Sequence, residues 1–292
     1  MKKLLFIFGL ALALSCANFN HHSPLTRGSS FLSTEWVGYE ETSGGSEWDA
    51  SHRRAYELNL SGERAAAIKL EEENLENARR HFGAEHPAVA ASLNSLSAFH
   101  DLDGNSDLSV QLQLEANEIW LNEFGQDHLD YAIGIHNLGY MYAIQKRFNE
   151  SEELLLQALA IYVKHRGKQS SDAGLGYNHL GMMYGMKGDW ETALSYRKKV
   201  VPIAARLKGP RSPGFANCLG DVALAFGNLE KYLEAELVLR EVISIWEGIH
   251  GLDSAELSPY YYTLARFLWE QGKIPEAEVY NNRGMKLEGR DS

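Results

Sequence analysis

Residues 136–151 read HNLGYMYAIQKRFNES, and residues 178–193 read NHLGMMYGMKGDWETA. Aligned at a spacing of 42, Leu138-Gly139 falls on Leu180-Gly181, Tyr142 on Tyr184 and Ser151 on Ala193. A large, a small and an aromatic residue at offsets 0, +1 and +4 share one helical face, and the small one lets a neighbouring helix come close. Ser151 and Ala193, with apolar residues around them, mark that neighbouring helix. The stretch therefore predicts a helix, a short turn and a second helix.

The same interval returns in both directions. Gly83, Gly125, Gly167, Gly209 and Gly251 are each 42 residues apart, with no insertion or deletion. The large position is Leu96, Leu138, Leu180, Val222 and Leu264, and the small one beside it is Ser97, Gly139, Gly181, Ala223 and Ala265. The aromatic position reads His100, Tyr142, Tyr184, Phe226 and Leu268. A second small column holds Ser109, Ser151, Ala193, Ala235 and Ala277, and ten residues on stand Ile119, Ile161, Ile203, Ile245 and Leu287. A fixed period of this length is the signature of stacked helical repeats.

The turns are legible as well. Gly104, Gly188 and Gly272 share one inter-helix position, where glycine takes positive φ at little cost. Ser212-Pro213 and His86-Pro87 open first helices, and Pro275 falls just inside a second helix. Pro202 stands inside the second helix of the third unit, where it removes a hydrogen bond and predicts a kink. Asp101-Leu102-Asp103-Gly104-Asn105 has the look of a calcium-loop fragment, but no downstream Glu completes it, so it reads as a helix turn.

Leu138-Gly139 with Tyr142 and Ser151, and Leu180-Gly181 with Tyr184 and Ala193, resemble tetratricopeptide repeats. The 42-residue period, with FGAEHPAVAASLNSL and KIPEAEVY, resembles the kinesin-light-chain and nephrocystin subgroup. The resemblance implies an all-α fold, a right-handed α-α superhelix of about five to six helix pairs. The expected units span 82–123, 124–165, 166–207, 208–249 and 250–291. Gly62 and Ala67 keep the register upstream, so 51–81 reads as a partial capping repeat whose first helix, near 52–60, is degraded by Arg54.

The beginning of the chain has a different character. Met1-Lys2-Lys3 and the apolar run Leu4 to Leu14 read as a secretory signal, too short to span the ~30 Å of a bilayer core. Leu12-Ala13-Leu14-Ser15-Cys16 resembles a bacterial lipobox, with 1–15 removed and Cys16 lipidated; ordinary cleavage after Ala17 is the alternative. The lipoprotein reading is favoured because it also accounts for the isolated cysteine, and Ala17 in place of Asp favours the outer membrane facing the periplasm, with a secreted soluble protein as the other option. Residues 16–50, rich in Ser, Gly, Asn and Thr, read as a flexible polar tether.

Across the 292 residues, 28 Lys and Arg face 39 Asp and Glu, a net charge of −11 that becomes −13 if Lys2 and Lys3 leave with a signal. This balance argues against a nucleic-acid binder. Two cysteines, Cys16 and Cys218, exclude a disulfide scaffold. No phosphate-binding glycine loop, nucleophile elbow or HExxH spacing is present. The runs Glu71-Glu72-Glu73 and Glu150 to Glu153 read as solvated helix surface. Catalytic residues, cofactors and metal are expected to be none; an enzymatic reading would need a metal held by His136, His179 and Asp221.

In the resembled family, first helices line a concave groove that takes extended peptides or short helices. The register projects Asn94, Ser95, His136, Asn137, Tyr140, Asn178, His179, Met182, Asn217, Asp221, Tyr262, Arg266 and Trp269 onto that lining. Asparagine suits it, because its amide both donates to and accepts from a ligand backbone. Arg266 is the one basic member, so a strongly acidic C-terminal tail fits poorly. The expectation is a non-enzymatic, exported and lipid-anchored adaptor that binds a protein or peptide partner in this groove. The alternatives are a self-associating homo-oligomeric solenoid, or a cytosolic kinesin-light-chain-like adaptor if the N-terminus stays uncleaved.

Overall fold

The computed structural model describes residues 45–289, and within them the chain is helical throughout, without strands. The expected signal, Cys16 and the tether as far as residue 44 lie outside the described residues. Helices α1 (Gly45–Leu60) and α2 (Arg64–Phe82), α3 (Pro87–Leu102) and α4 (Ser106–Phe124), and α5 (Leu129–Ile144) and α6 (Phe148–Arg166) form consecutive pairs. Then follow α7 (Ser171–Lys187), α8 (Trp190–Lys208), α9 (Pro213–Asn228) and α10 (Tyr232–His250). A short 3-10 turn at Ala255–Leu257 leads into α11 (Ser258–Glu270) and α12 (Ile274–Leu287). The described residues fall into two compact units, one ending at His179 and the other beginning at Leu180, so the boundary lies within α7.

The pairs close where the small columns meet. Ser97 Oγ donates to the Ser109 carbonyl and Ser109 Oγ to the Ser97 carbonyl, both at 2.8 Å, which clasps α3 to α4. At the equivalent place in the next pair, a Cβ on Gly139 would lie 3.0 Å from Leu155 Cγ. Helices α3, α5, α7 and α9, which follow the long connectors, each begin at a side-chain cap. His86 and His128 accept from backbone N–H groups two residues on, at 3.2 Å each, while Ser170 and Ser212 accept from groups three residues on, at 3.1 Å. Phe82 stacks on His86 at 4.6 Å and Phe124 on His128 at 4.2 Å, so the two histidine caps are held by the aromatic residue that ends the preceding helix.

Two expectations are corrected. The polar stretch reaching residue 50 does not remain irregular to its end: α1 starts at Gly45 and is sixteen residues long. Trp48 anchors it, buried against Leu75 and Ala88 with its Nε1 donating to Ser92 Oγ at 3.3 Å. One aromatic among serines and glycines was enough to seed a helix that composition alone concealed. Glu71 is not on a solvated face either; it is fully buried, with His52 Nδ1 at 2.7 Å and the Asn74 amide at 3.1 Å, while Glu72 and Glu73 are exposed. Pro202 lies inside α8, which runs through it from Trp190 to Lys208. Asp101 ends in the last turn of α3 and Gly104 takes φ of 87° in the following turn, as a helix turn requires.

Candidate functional site

First helices carry the projected groove residues. In the unit ending at His179, a residue of one first helix twice meets the residue 43 positions later on the next. Between α3 and α5 that pair is Asn94 and Asn137, with the Asn137 amide donating to Asn94 Oδ1 at 2.9 Å. Between α5 and α7 the same pair is His136 and His179, whose ring centroids are 4.7 Å apart. Tyr140 stacks on His179 from the other side at 4.7 Å, and Tyr162 of α6 approaches His136 at 5.8 Å.

The histidine pair is buried, His136 at 1% exposure and His179 at 7%. None of their four ring nitrogens has a hydrogen-bond partner among the described residues. Burial therefore dominates their titration. The His136 imidazole falls well below the ordinary range, through desolvation first and the neighbouring His179 second, and desolvation pushes His179 down to about 4. Both rings are neutral at pH 7, each with one donor and one acceptor. The same burial raises the Tyr140 phenol, with Asp101 adding to the effect.

Asn94, Ser95, Asn178 and the two histidines are buried, whereas Asn137 and Tyr140 are half-exposed. Of these projected positions, only Asn137 and Tyr140 are accessible. In the unit from Leu180 onward, Met182, Asn217, Asp221, Tyr262 and Arg266 are half-exposed, and Trp269 is exposed. Asp221 is already engaged: its Oδ1 lies 2.7 Å from Nη1 of the buried Arg197, a close charge contact more than an aligned hydrogen bond. Tyr262 donates to Glu288 at 3.1 Å. Arg266 lies over the Phe267 ring, 5.0 Å from its centroid.

One polar group behind this surface escaped the sequence reading. Gln113 on α4 is buried and donates to Asn117 Oδ1 at 3.1 Å, while Gln113 Oε1, Asn117 Nδ2 and Trp120 Nε1 have no partner among the described residues. Gly134 of α5 sits over them; a Cβ there would fall 2.0 Å from Asn117 Oδ1. The readable signal was a glycine within a helix, away from any turn. Among the described residues no group of three or more His, Cys, Asp or Glu side chains could hold a metal ion, and no helix is long and apolar enough to cross a membrane.

Consecutive antiparallel helix pairs joined by capped turns, with small residues at the pair interface, define an α-solenoid of the repeat class. Residues 96–163 and 172–247 match the tetratricopeptide repeat model. Such repeats are protein-interaction scaffolds. No curated protein matches the sequence. Among solved structures, the nearly identical TPR-like repeats assigned to a kinesin light chain of Podosopora anserina are 22% identical, with a TM-score of 0.59 over 70% of this chain and 97% of that one. BtubC (BKLC) from P. vanneervenii is 17% identical, with a TM-score of 0.61 over 85% of this chain and 92% of that one. The apo form of RapI is 12% identical, with a TM-score of 0.57 over 84% and 98%. At these identities the likeness is one of fold.

Proposed function

We propose that this protein is a non-enzymatic adaptor that holds an extended protein segment along its first helices, and that it is exported and anchored through a lipid on Cys16. The observation that carries the binding reading is α5, where half-exposed Asn137 and Tyr140 stand among buried positions of α3, α5 and α7. Asn94, His136 and His179 are buried, and half-exposed Asn137, which keeps an amide N–H and Oδ1 beyond its bond to Asn94, and Tyr140 offer an amide and an aromatic ring beside them. The amide can pair with a ligand main chain, and Tyr supplies contact area at low entropic cost. A preformed surface leaves the ordering cost to the ligand alone.

A photo-crosslinking residue at position 140, followed by mass spectrometry of the captured protein, identifies the partner. Recovery by a folded Asn137→Ala/Tyr140→Ala variant is expected to drop by about tenfold, the size of one or two lost contacts. Undiminished recovery sinks the groove reading. The anchor has its own test: mass spectrometry of the mature N-terminus, where acylated Cys16 supports export and an intact Met1 removes it.

A further inference from the structure

The second helices differ sharply in charge. Helix α8 carries Arg197, Lys198, Lys199, Arg206 and Lys208 against a single acid, Glu191, in a chain whose net charge is −11. Arg197 is buried, but Lys198, Lys199, Arg206 and Lys208 are exposed. Helix α10 has the opposite character: Glu234 and Glu241 are exposed, and its one arginine, Arg240, is half-buried and held by Glu236, Glu276 and Tyr280.

These two helices belong to one body. Leu194, Val222 and Ala225 form an apolar cluster with Trp190 and Val201 of α8, Phe226 of α9 and Val238 of α10 packed against it. The 42-residue register places Lys199 and Glu241 in the same column of successive second helices, and likewise Ser195 and Leu237, so Lys199 and Arg206, seven residues on, lie on the same outer face as Glu234 and Glu241, whereas Lys198 turns aside, its ammonium 4.8 Å from the Phe226 ring centroid. That face is also apolar where it should be wet. Leu233 and Leu237 of α10 are 56% and 62% exposed, and Val279 of α12 is 56% exposed. Helix α12 is tied to α10 through Arg240, which donates to Tyr280 Oη at 2.8 Å.

A surface with a positive strip beside a negative one is complementary to itself after rotation by half a turn, which is what an isologous dimer requires. We propose that the outer face of α8 and α10 docks a second copy of this chain about a two-fold axis. Lys199 and Arg206 of one copy then meet Glu234 and Glu241 of the other, and Leu233 and Leu237 are withdrawn from water between them. Opposite charges set the register, while the leucines and Val279 supply the apolar area that a paired charge strip lacks. The surface lies on second helices, so this docking leaves first helices free and stands independently of the groove reading.

Sedimentation velocity on the full chain carrying Cys16→Ser, which removes the acylation site, isolates this contact from any lipid. A concentration-dependent dimer is expected at about 50 mM salt, weakened about tenfold or more at about 500 mM, where screening shortens to a few ångströms. Lys199→Glu/Arg206→Glu should abolish the dimer with helicity unchanged. Adding Glu234→Lys and Glu241→Lys to the same chain should restore it, because the strips have then exchanged signs. A monomer at every concentration overturns the proposal, as does a dimer indifferent to the reversals. So does a monomer that binds phosphatidylglycerol vesicles through the same side chains, since the basic strip would then face a membrane.

Discussion

Lys146 and Glu230 take φ of 60° and 58°, the only non-glycine residues with positive φ among the described residues. They stand at the inter-helix position filled elsewhere by Gly62, Gly104, Gly188 and Gly272, whose φ values run from 75° to 89°. A side chain in the left-handed region costs about 1–2 kcal/mol, part of which glycine returns through its freer unfolded state. Lys146→Gly and Glu230→Gly should therefore each stabilise the protein by about 0.5–1 kcal/mol, read as a higher urea midpoint with unchanged slope. The turn geometry was legible from the glycines, and the two exceptions were not, because nothing in a lone Lys or Glu announces strain. Arg197 was hidden for a different reason. It occupies a column that holds Leu155 and Leu239 in the adjoining units, and it is buried with Asp221 as its counter-charge. Asp221→Ala should cost about 3 kcal/mol by leaving a buried cation uncompensated, whereas Asp221→Ala/Arg197→Leu should recover most of that loss. If the single and double variants melt alike, Asp221 serves the surface and not the fold.

At the scale of the element, each connector solves the same problem with one of two side chains. The position 86, 128, 170, 212, 254 reads His, His, Ser, Ser, Ser, and in each case the side chain accepts from a backbone N–H at the start of the next helical segment. Proline after His86 and Ser212 made two of these caps readable, but the column as a whole was not, since His and Ser share no obvious property. What they share is an acceptor that reaches the first turn. Ser212→Ala should cost about 1 kcal/mol in chemical denaturation, the usual worth of an N-cap. His128→Ala should cost at least as much, because the stack with Phe124 goes too. The start of α1 shows the converse limit: a single Trp48, buried through contacts far along the chain, decides where a helix begins in a stretch of polar composition. The pairs themselves were readable because close approach admits only small residues, and Ser97, Gly139 and Ser109 are buried at those contacts.

For the whole molecule, stability in a repeat protein is a sum of neighbour contacts, so a weakness in one place need not spread. The unit ending at His179 contains the unpartnered histidine pair, and the unit from Leu180 onward contains buried Cys218, whose thiol burial raises to about 12. Acid should act on these units unequally. In the folded chain His136 and His179 stay neutral below the pH at which the unfolded chain already binds protons, near 6.5. Their contribution is therefore complete above pH 6.5 and diminishes as pH falls, until it is lost near pH 4 for His179. The shift of His179 alone amounts to about 3 kcal/mol, at about 1.4 kcal/mol per pH unit. Hydrogen exchange at pH 7.5 and pH 5, corrected for intrinsic rates, should show protection falling in α5 and the first half of α7 well before it falls in α9 to α12. A His136→Asn/His179→Asn variant reproduces the Asn94–Asn137 pair at the neighbouring position and should flatten that dependence. Equal loss of protection in both units, or an unchanged acid response in the double asparagine variant, would mean that the histidine pair does not govern acid stability. The carboxylates distributed over both units would then be the groups to titrate next, beginning with Asp130, whose burial already raises it above the ordinary carboxylate range.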